Sequence, residues 1–337
     1  MCKIITGNKK QVIRLFMCFI FINSLGFFYN QRICTLAAEV NNEVLETIVQ
    51  GVAYNDSLIK NISFDYTIDY KVSDEWLKYL SSQILPRQEN FPPGMVVRDP
   101  TKEHVTLSGI LKTEGDKFFI TSITKAVKDG EKLQDHIMSF DGVTLIRLNL
   151  LQDYGDISQG LDFMGRNSIL DPRSVLLFFL DGESLYKTLT EKNVQTTLVG
   201  SENIDGFSCY CLDVSIPYSN KEGNFVSKKR IWIDPNSGFR ARKALTFYRE
   251  MERPLTTTRF TLKKFSGGVW YPIKVTFESE RHNLPPGPHT TIVLDVNNAS
   301  INGNLFEKNA FIADISKVSR ITDFSRGDIT FETQKGK

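Results

Sequence analysis

The chain has 337 residues, a formal net charge of +2, 41% hydrophobic and 24% charged residues. These values exclude a disordered or fibrous protein and fit one large domain or two ordinary ones. Near-balanced charge gives no electrostatic basis for nucleic-acid binding, and 24 Phe against 3 Trp make much of any core aromatic.

Residues 1–38 differ from the rest. Lys3, Lys9, Lys10, Arg14 and Arg32 are basic, and no acidic residue precedes Glu39. An apolar run from Leu15 to Tyr29 is followed by the small residues Ala37 and Ala38. This order predicts a secretory signal peptide, because the apolar run is shorter than the roughly 20 residues of a spanning helix. An uncleaved N-terminal anchor is the alternative. Export would place the protein in the periplasm or cell envelope, at most peripheral to a membrane. The 41 basic residues include these five, so the chain beyond the leader carries 36 against 39 acidic ones. Cys2, Cys18 and Cys34 also lie in the leader, leaving Cys209 and Cys211. On a strand these two share a face, and they either form a strained Cys-x-Cys disulfide or remain buried free thiols.

From Asn42 to about Tyr54, Val44, Leu45, Ile48, Val49 and Val52 recur at helical spacing, with Asn41 or Asn42 as cap. The period then changes: Ile62, Phe64, Tyr66, Ile68 and Tyr70 alternate with polar residues, predicting a half-buried strand. Residues 73–100 form an insertion, first a short helix capped by Ser73 and then a Pro-rich loop. Strand pairs follow around Gly115-Asp116 and Asp141-Gly142. The middle, 156–192, reads as helix, opened by Asp171 and Pro172. Strands resume at Gln195–Gly200 and Phe207–Ile216. A meander of turns and strands then carries the chain from Val226 to about Ile301, and residues 306–337 read as a tail. About eleven strands are expected in one mainly β (α+β) domain over 39–305: a single curved, incomplete antiparallel barrel with helices packed in and over its concave face.

In the meander, Tyr271, Ile273, Val275 and Phe277 share one strand face opposite Lys274, Thr276 and Glu278. Phe260 and Leu262 oppose Arg259 and Lys263. Phe239, Ala241, Leu245 and Phe247 oppose Arg240 and Arg242. One side of the sheet is therefore expected to be apolar and the other solvated. The apolar side must be covered, and the helices available look too few. Either helices and loops fill the interior or a cavity remains for an acyl chain.

The initial helix and Phe/Tyr strand, Arg230-Ile-Trp-Ile-Asp-Pro-Asn-Ser-Gly, Gly-Val-Trp-Tyr-Pro-Ile-Lys and the closing Gly303-Asn304-Leu305-Phe306 together resemble the LolA-like lipoprotein-sorting proteins and their RseB-type relatives. The resemblance spans nearly the whole chain beyond the leader. It implies an incomplete barrel whose helices form a lid over an apolar cavity that carries acyl chains, with the lid here at 171–190 and 73–95. Cavity liners would include Phe64, Tyr66, Phe260, Leu262, Ile273 and Val275. It implies a lipid or acylated protein as partner. A regulatory module that senses envelope lipid or protein and relays this to a protein partner is the alternative, and an envelope hydrolase the third reading.

Catalytic signals are sparse. His282 and His289 flank a Pro-rich loop and read as solvated, and His136 as a partly exposed loop residue. No Gly-x-Ser-x-Gly, His-Glu-x-x-His, phosphate loop or dinucleotide fingerprint occurs. Trp232 and Trp270 read as strand aromatics. A non-enzymatic protein without cofactor or metal is expected.

Overall fold

A computed structural model describes residues 42–84, 104–160, 171–177, 184–220, 223–248, 253–281, 284–307 and 309–333. The expected leader and Pro-rich loop lie outside these residues. The chain divides into compact units Met1–Ile48 and Val49–Lys337. Of the first, only residues 42–48 are described, the opening turns of a helix α1 that runs over 42–57.

The second unit is dominated by one fifteen-stranded sheet. After α1 come β1 (Asn61–Val72), helix α2 (Asp74–Ile84), β2 (His104–Glu114), β3 (Lys117–Ala126), β4 (Lys132–Phe140), β5 (Thr144–Asn149) and β6 (Tyr154–Gln159). Two short helices, α3 (Pro172–Leu177) and α4 (Leu185–Thr190), precede β7 (Gln195–Ile204), β8 (Phe207–Asn220) and β9 (Gly223–Asp234). Then follow β10 (Arg240–Tyr248), β11 (Thr256–Lys264), β12 (Trp270–Ser279), β13 (Thr290–Ile301), β14 (Arg320–Asp323) and β15 (Ile329–Glu332). In space the order is β15-β14-β6-β5-β4-β3-β2-β1-β13-β12-β11-β10-β9-β8-β7. The chain thus meanders outward from β1 to β6, restarts at the far edge with β7, and meanders back until β13 lies beside β1. Every pairing is antiparallel except β6 with β14, which is parallel. The fold is mainly β, and its curved sheet stays open, with β15 and β7 as edges.

The expected insertion helix forms, and Ser73 Oγ accepts from the Trp76 N–H at 3.2 Å as its cap. Three elements differ from expectation. Residues 154–159, assigned mostly to the helical middle, are strand β6: Tyr154-Gly-Asp-Ile-Ser-Gln is too short and too Gly/Ser-rich to show a period. Of the expected lid, α2 and the six-residue helices α3 and α4 are described. Third, residues 306–337 are not a tail. They supply β14 and β15, and Ala313, Val318 and Ile321 join Ile137, Ile146 and Leu148 in a buried cluster. The Ala313 N–H donates to Ser139 Oγ at 2.9 Å, fixing this cover on β4.

The turn before β10 shows how local chemistry aims a strand. Asp234 caps a 3-10 turn over Pro235–Ser237, and Gly238 ends it at φ 63°. Phe239 follows at φ 55°, which turns its ring onto α1. A Cβ at Gly51 would lie 2.1 Å from that ring, so only glycine fits there. Asp56 of α1 pairs with Arg240 at 2.7 Å. The Asn55 amide donates to the Trp270 carbonyl at 3.2 Å, and its oxygen accepts from the Trp270 N–H at 3.1 Å.

Candidate functional site

Directly opposed residues of antiparallel strands share a face, so the registers define the rows of the sheet. On the face bearing Phe64 and Tyr66, here the inner face, one row runs from Val105 on β2 across Tyr70, Ile292, Phe277, Thr258, Ala244 and Ile231 to Leu212 on β8. All but the half-buried Tyr70 are buried. The neighbouring row places Phe260 against Val275, Val275 against Leu294 and Leu294 against Ile68. Strand β1 is regular, because the bulge beside it lies on β13, where Asn298 takes φ 49°. Phe64 and Tyr66 therefore share the face of Ile68.

Five of the six residues expected to line the inner face, Phe64, Tyr66, Phe260, Leu262 and Val275, are buried. Ile273 is half-buried, for a definite reason. Thr261 pairs with Lys274 but Leu262 pairs with Pro272, so Ile273 sits in a bulge and leaves the alternation. A second bulge, between Ala241 and Lys243, corrects the face assignment of β10. Arg242 is buried rather than solvated, and Leu245 packs instead against Cys209, Cys211 and Trp232.

The aromatic part of the face is held by polar anchors. Phe64 lies between Tyr66 and Tyr271, with ring centroids 6.4 and 6.3 Å away. The Tyr66 hydroxyl donates to the Thr121 carbonyl at 2.9 Å, and burial pushes its pKa well above the usual phenol range. Burial also pushes Tyr271 up to about 12, against the opposing pull of the Arg240 guanidinium. Helix α3 packs on β12. Its Arg173 guanidinium lies 3.5 Å over the ring of Phe118 while pairing with the buried Asp171. Toward β5 and β6 the inner face turns polar, ending in an Arg147–Asp156 pair at 2.7 Å.

The opposite face of the central strands is polar and charged. Asp69 meets His104 at 2.6 Å, Arg259 meets Glu278 at 2.8 Å and Lys274 meets Asp295 at 3.3 Å. Such exposed pairs are worth roughly 0–1 kcal/mol each and serve solubility more than stability.

Cys209 and Cys211 are free thiols in this structure, and both are buried. An extended i, i+2 pair stands near the outer limit of the Cα separation a disulfide bridges. Burial pushes both thiols up to about 11, assisted by Asp234 at Cys209 and by Glu202 at Cys211. With an ordinary value of 9.0, that leaves about one hundredth of the usual thiolate at pH 8. A thiol reagent at pH 8 is therefore expected to label the native chain about 100-fold more slowly than the urea-unfolded chain. Rapid labelling of the native form would contradict this burial.

Among the described residues no cluster of His, Cys, Asp and Glu is arranged to hold a metal ion. His136 lies on β4 rather than in a loop, and burial lowers its pKa. His289 is buried rather than solvated: its Nδ1 accepts the Arg281 N–H at 3.0 Å. His282 lies outside the described residues.

The sequence matches no family model and no curated protein. Among solved structures it is similar to a DUF1329 family protein from Desulfovibrio piger, with TM-score 0.46 and 15% identity over 79% of this chain and 96% of that one. The lipoprotein LppX of Mycobacterium tuberculosis gives 0.28 and 9% over 78% and 99%. A LolA superfamily protein from Nitrosomonas europaea gives TM-score 0.39 and 14% identity over 80% of this chain and 97% of that one.

Proposed function

We propose that this chain is an exported cell-envelope protein that binds a lipid or a lipidated polypeptide against the inner face of its sheet. The observation that carries this reading is the row from Val105 to Leu212, which crosses eight strands on one face and is apolar or aromatic at every strand but β11, where Thr258 stands. Phe64, Tyr66, Phe260, Leu262 and Val275 would contact the acyl chains, with Ile273 at the margin.

The test is extraction of the protein purified from native envelopes, followed by mass spectrometry, together with titration of an uncharged apolar fluorophore. Co-purifying lipid and saturable fluorophore binding are expected. Absence of both would overturn the reading, and capture of one stoichiometric protein partner by lipid-free protein would favour a regulatory role. N-terminal sequencing of the exported form tests cleavage of the leader.

A further inference from the structure

Along the inner face the side chains change character between β2 and β3. The row Phe260, Val275, Leu294, Ile68 and Leu107 is apolar on five strands in succession, and it continues as Thr124 on β3 and Gln134 on β4. Two residues along the same strands, Ser122 opposes His136. Alternation keeps these four side chains on one face. Directly opposed positions stand about 5 Å apart, so the four form one compact patch on two neighbouring strands.

Tyr66 extends the patch from β1. Its partner on β2 is Gly109, where a Cβ would lie 1.8 Å from the Thr121 carbonyl oxygen and 3.0 Å from the Tyr66 hydroxyl. The missing side chain lets that hydroxyl cross β2 to reach β3, where it donates to the Thr121 carbonyl and hydrogen-bonds Ser122.

The patch is polar without being charged. Thr124 donates to the Gln134 carbonyl oxygen at 3.4 Å, and among the described residues the Gln134 amide nitrogen and the His136 ring make no hydrogen bond. Both side chains are half-buried, so water or a ligand can complete them. Burial holds His136 below its ordinary range, which leaves it neutral at pH 7. The described charges around the patch are matched: Lys132 with Asp135 at 2.7 Å, Arg147 with Asp156 at 2.7 Å, and Asp171 with Arg173. An ionic head placed here would lose hydration and gain no counter-charge. An uncharged head with several hydroxyls would lose little, because amide, imidazole and hydroxyl groups replace its water.

We infer that Ser122, Thr124, Gln134 and His136 form the subsite for the polar end of a bound amphiphile, and that this end is an uncharged polyhydroxyl head. The inference rests on the proposed function. It adds a ligand class and an orientation, with the chain along the row from Leu107 to Phe260 and the head over β3 and β4.

The experiment loads the protein, purified from native envelopes and freed of lipid, with N-phenyl-1-naphthylamine, an uncharged fluorophore. Octyl glucoside, octanoate or octyltrimethylammonium then displaces it, each below micelle formation. A head left in water would make the three alike, since their chains match closely. Octyl glucoside is expected to displace at a concentration about 10-fold lower than either ion, the effect of one or two neutral hydrogen bonds. Gln134→Leu combined with His136→Phe should remove most of that preference. Gln134→Glu, of nearly the same shape, should lower the concentration of octyltrimethylammonium required by about 3-fold. Where the double variant does not fold, Gln134→Glu alone decides. Equal displacement by the three amphiphiles, a preference unchanged in the double variant, or no gain for the cation in Gln134→Glu would overturn the subsite and leave apolar binding intact. Failure of the fluorophore itself to bind would overturn the proposed function, and this inference with it.

Discussion

Asp234→Ala is expected to lower the unfolding free energy by about 3–5 kcal/mol, the cost of stranding one partner of a buried ion pair. Asp234 is fully buried, and its carboxylate accepts from Arg242 Nε at 2.7 Å, from Ser237 Oγ at 2.6 Å and from the Asn236 N–H at 2.9 Å. Arg242 in turn donates to Ser237 Oγ at 2.8 Å and lies 3.4 Å over the ring of Phe207. Removing the carboxylate leaves a guanidinium with side-chain exposure of only 8% and takes the cap from the turn that aims β10. Urea unfolding at unchanged m-value measures the loss. Pairing Asp234→Leu with Arg242→Met should recover much of it, because the penalty lies in the uncompensated charge. A loss below about 1 kcal/mol for Asp234→Ala would mean that solvent reaches Arg242, as for an exposed pair.

Deletion of residues 306–337 is expected to abolish stable folding. The deletion removes Val318 and Ile321, both fully buried, and uncovers Ile137, Ile146 and Leu148. At about 1.5–3 kcal/mol per buried aliphatic side chain, five such residues represent roughly 8–15 kcal/mol, comparable to the whole stability of a domain. It also bares the edge of β6, whose partner is β14. The truncated chain should be recovered as aggregate or without a cooperative thermal transition, and Ile321→Ala in the full chain should cost about 2–5 kcal/mol. A truncated chain that stays monomeric and melts as the parent does would show that the cluster is dispensable.

That C-terminal segment also shows where sequence reading stops. Among their described residues, 306–337 contain two four-residue strands and short capped turns, so no window there is long enough to display a period. Their structure depends on a surface made by β4, β5 and β6, which lies more than 150 residues earlier in the chain. By contrast, β1 and the part of β13 before Asn298 are long, alternate regularly, and carry Phe64, Tyr66, Leu294 and Val296 on one face as alternation requires. The alternation of such strands was legible; the departures from it at Ile273 and Arg242 were not. Each lies at a bulge, where one extra residue reverses the alternation that a linear pattern presupposes.

The sequence by itself determined a mainly β chain with an amphipathic opening helix, an exposed polar face, an apolar face, and turns built on Asp-Gly, Pro-Asn-Ser-Gly and Gly-Gly. Those features follow from local sterics and from the two-residue repeat of a strand, both written within a few neighbouring residues. Tertiary structure alone decided that the second meander returns to lie beside β1, that the last thirty residues close a second core, and which strands slip by one residue. Those outcomes depend on contacts between segments far apart in the chain, whose free energies no local window contains.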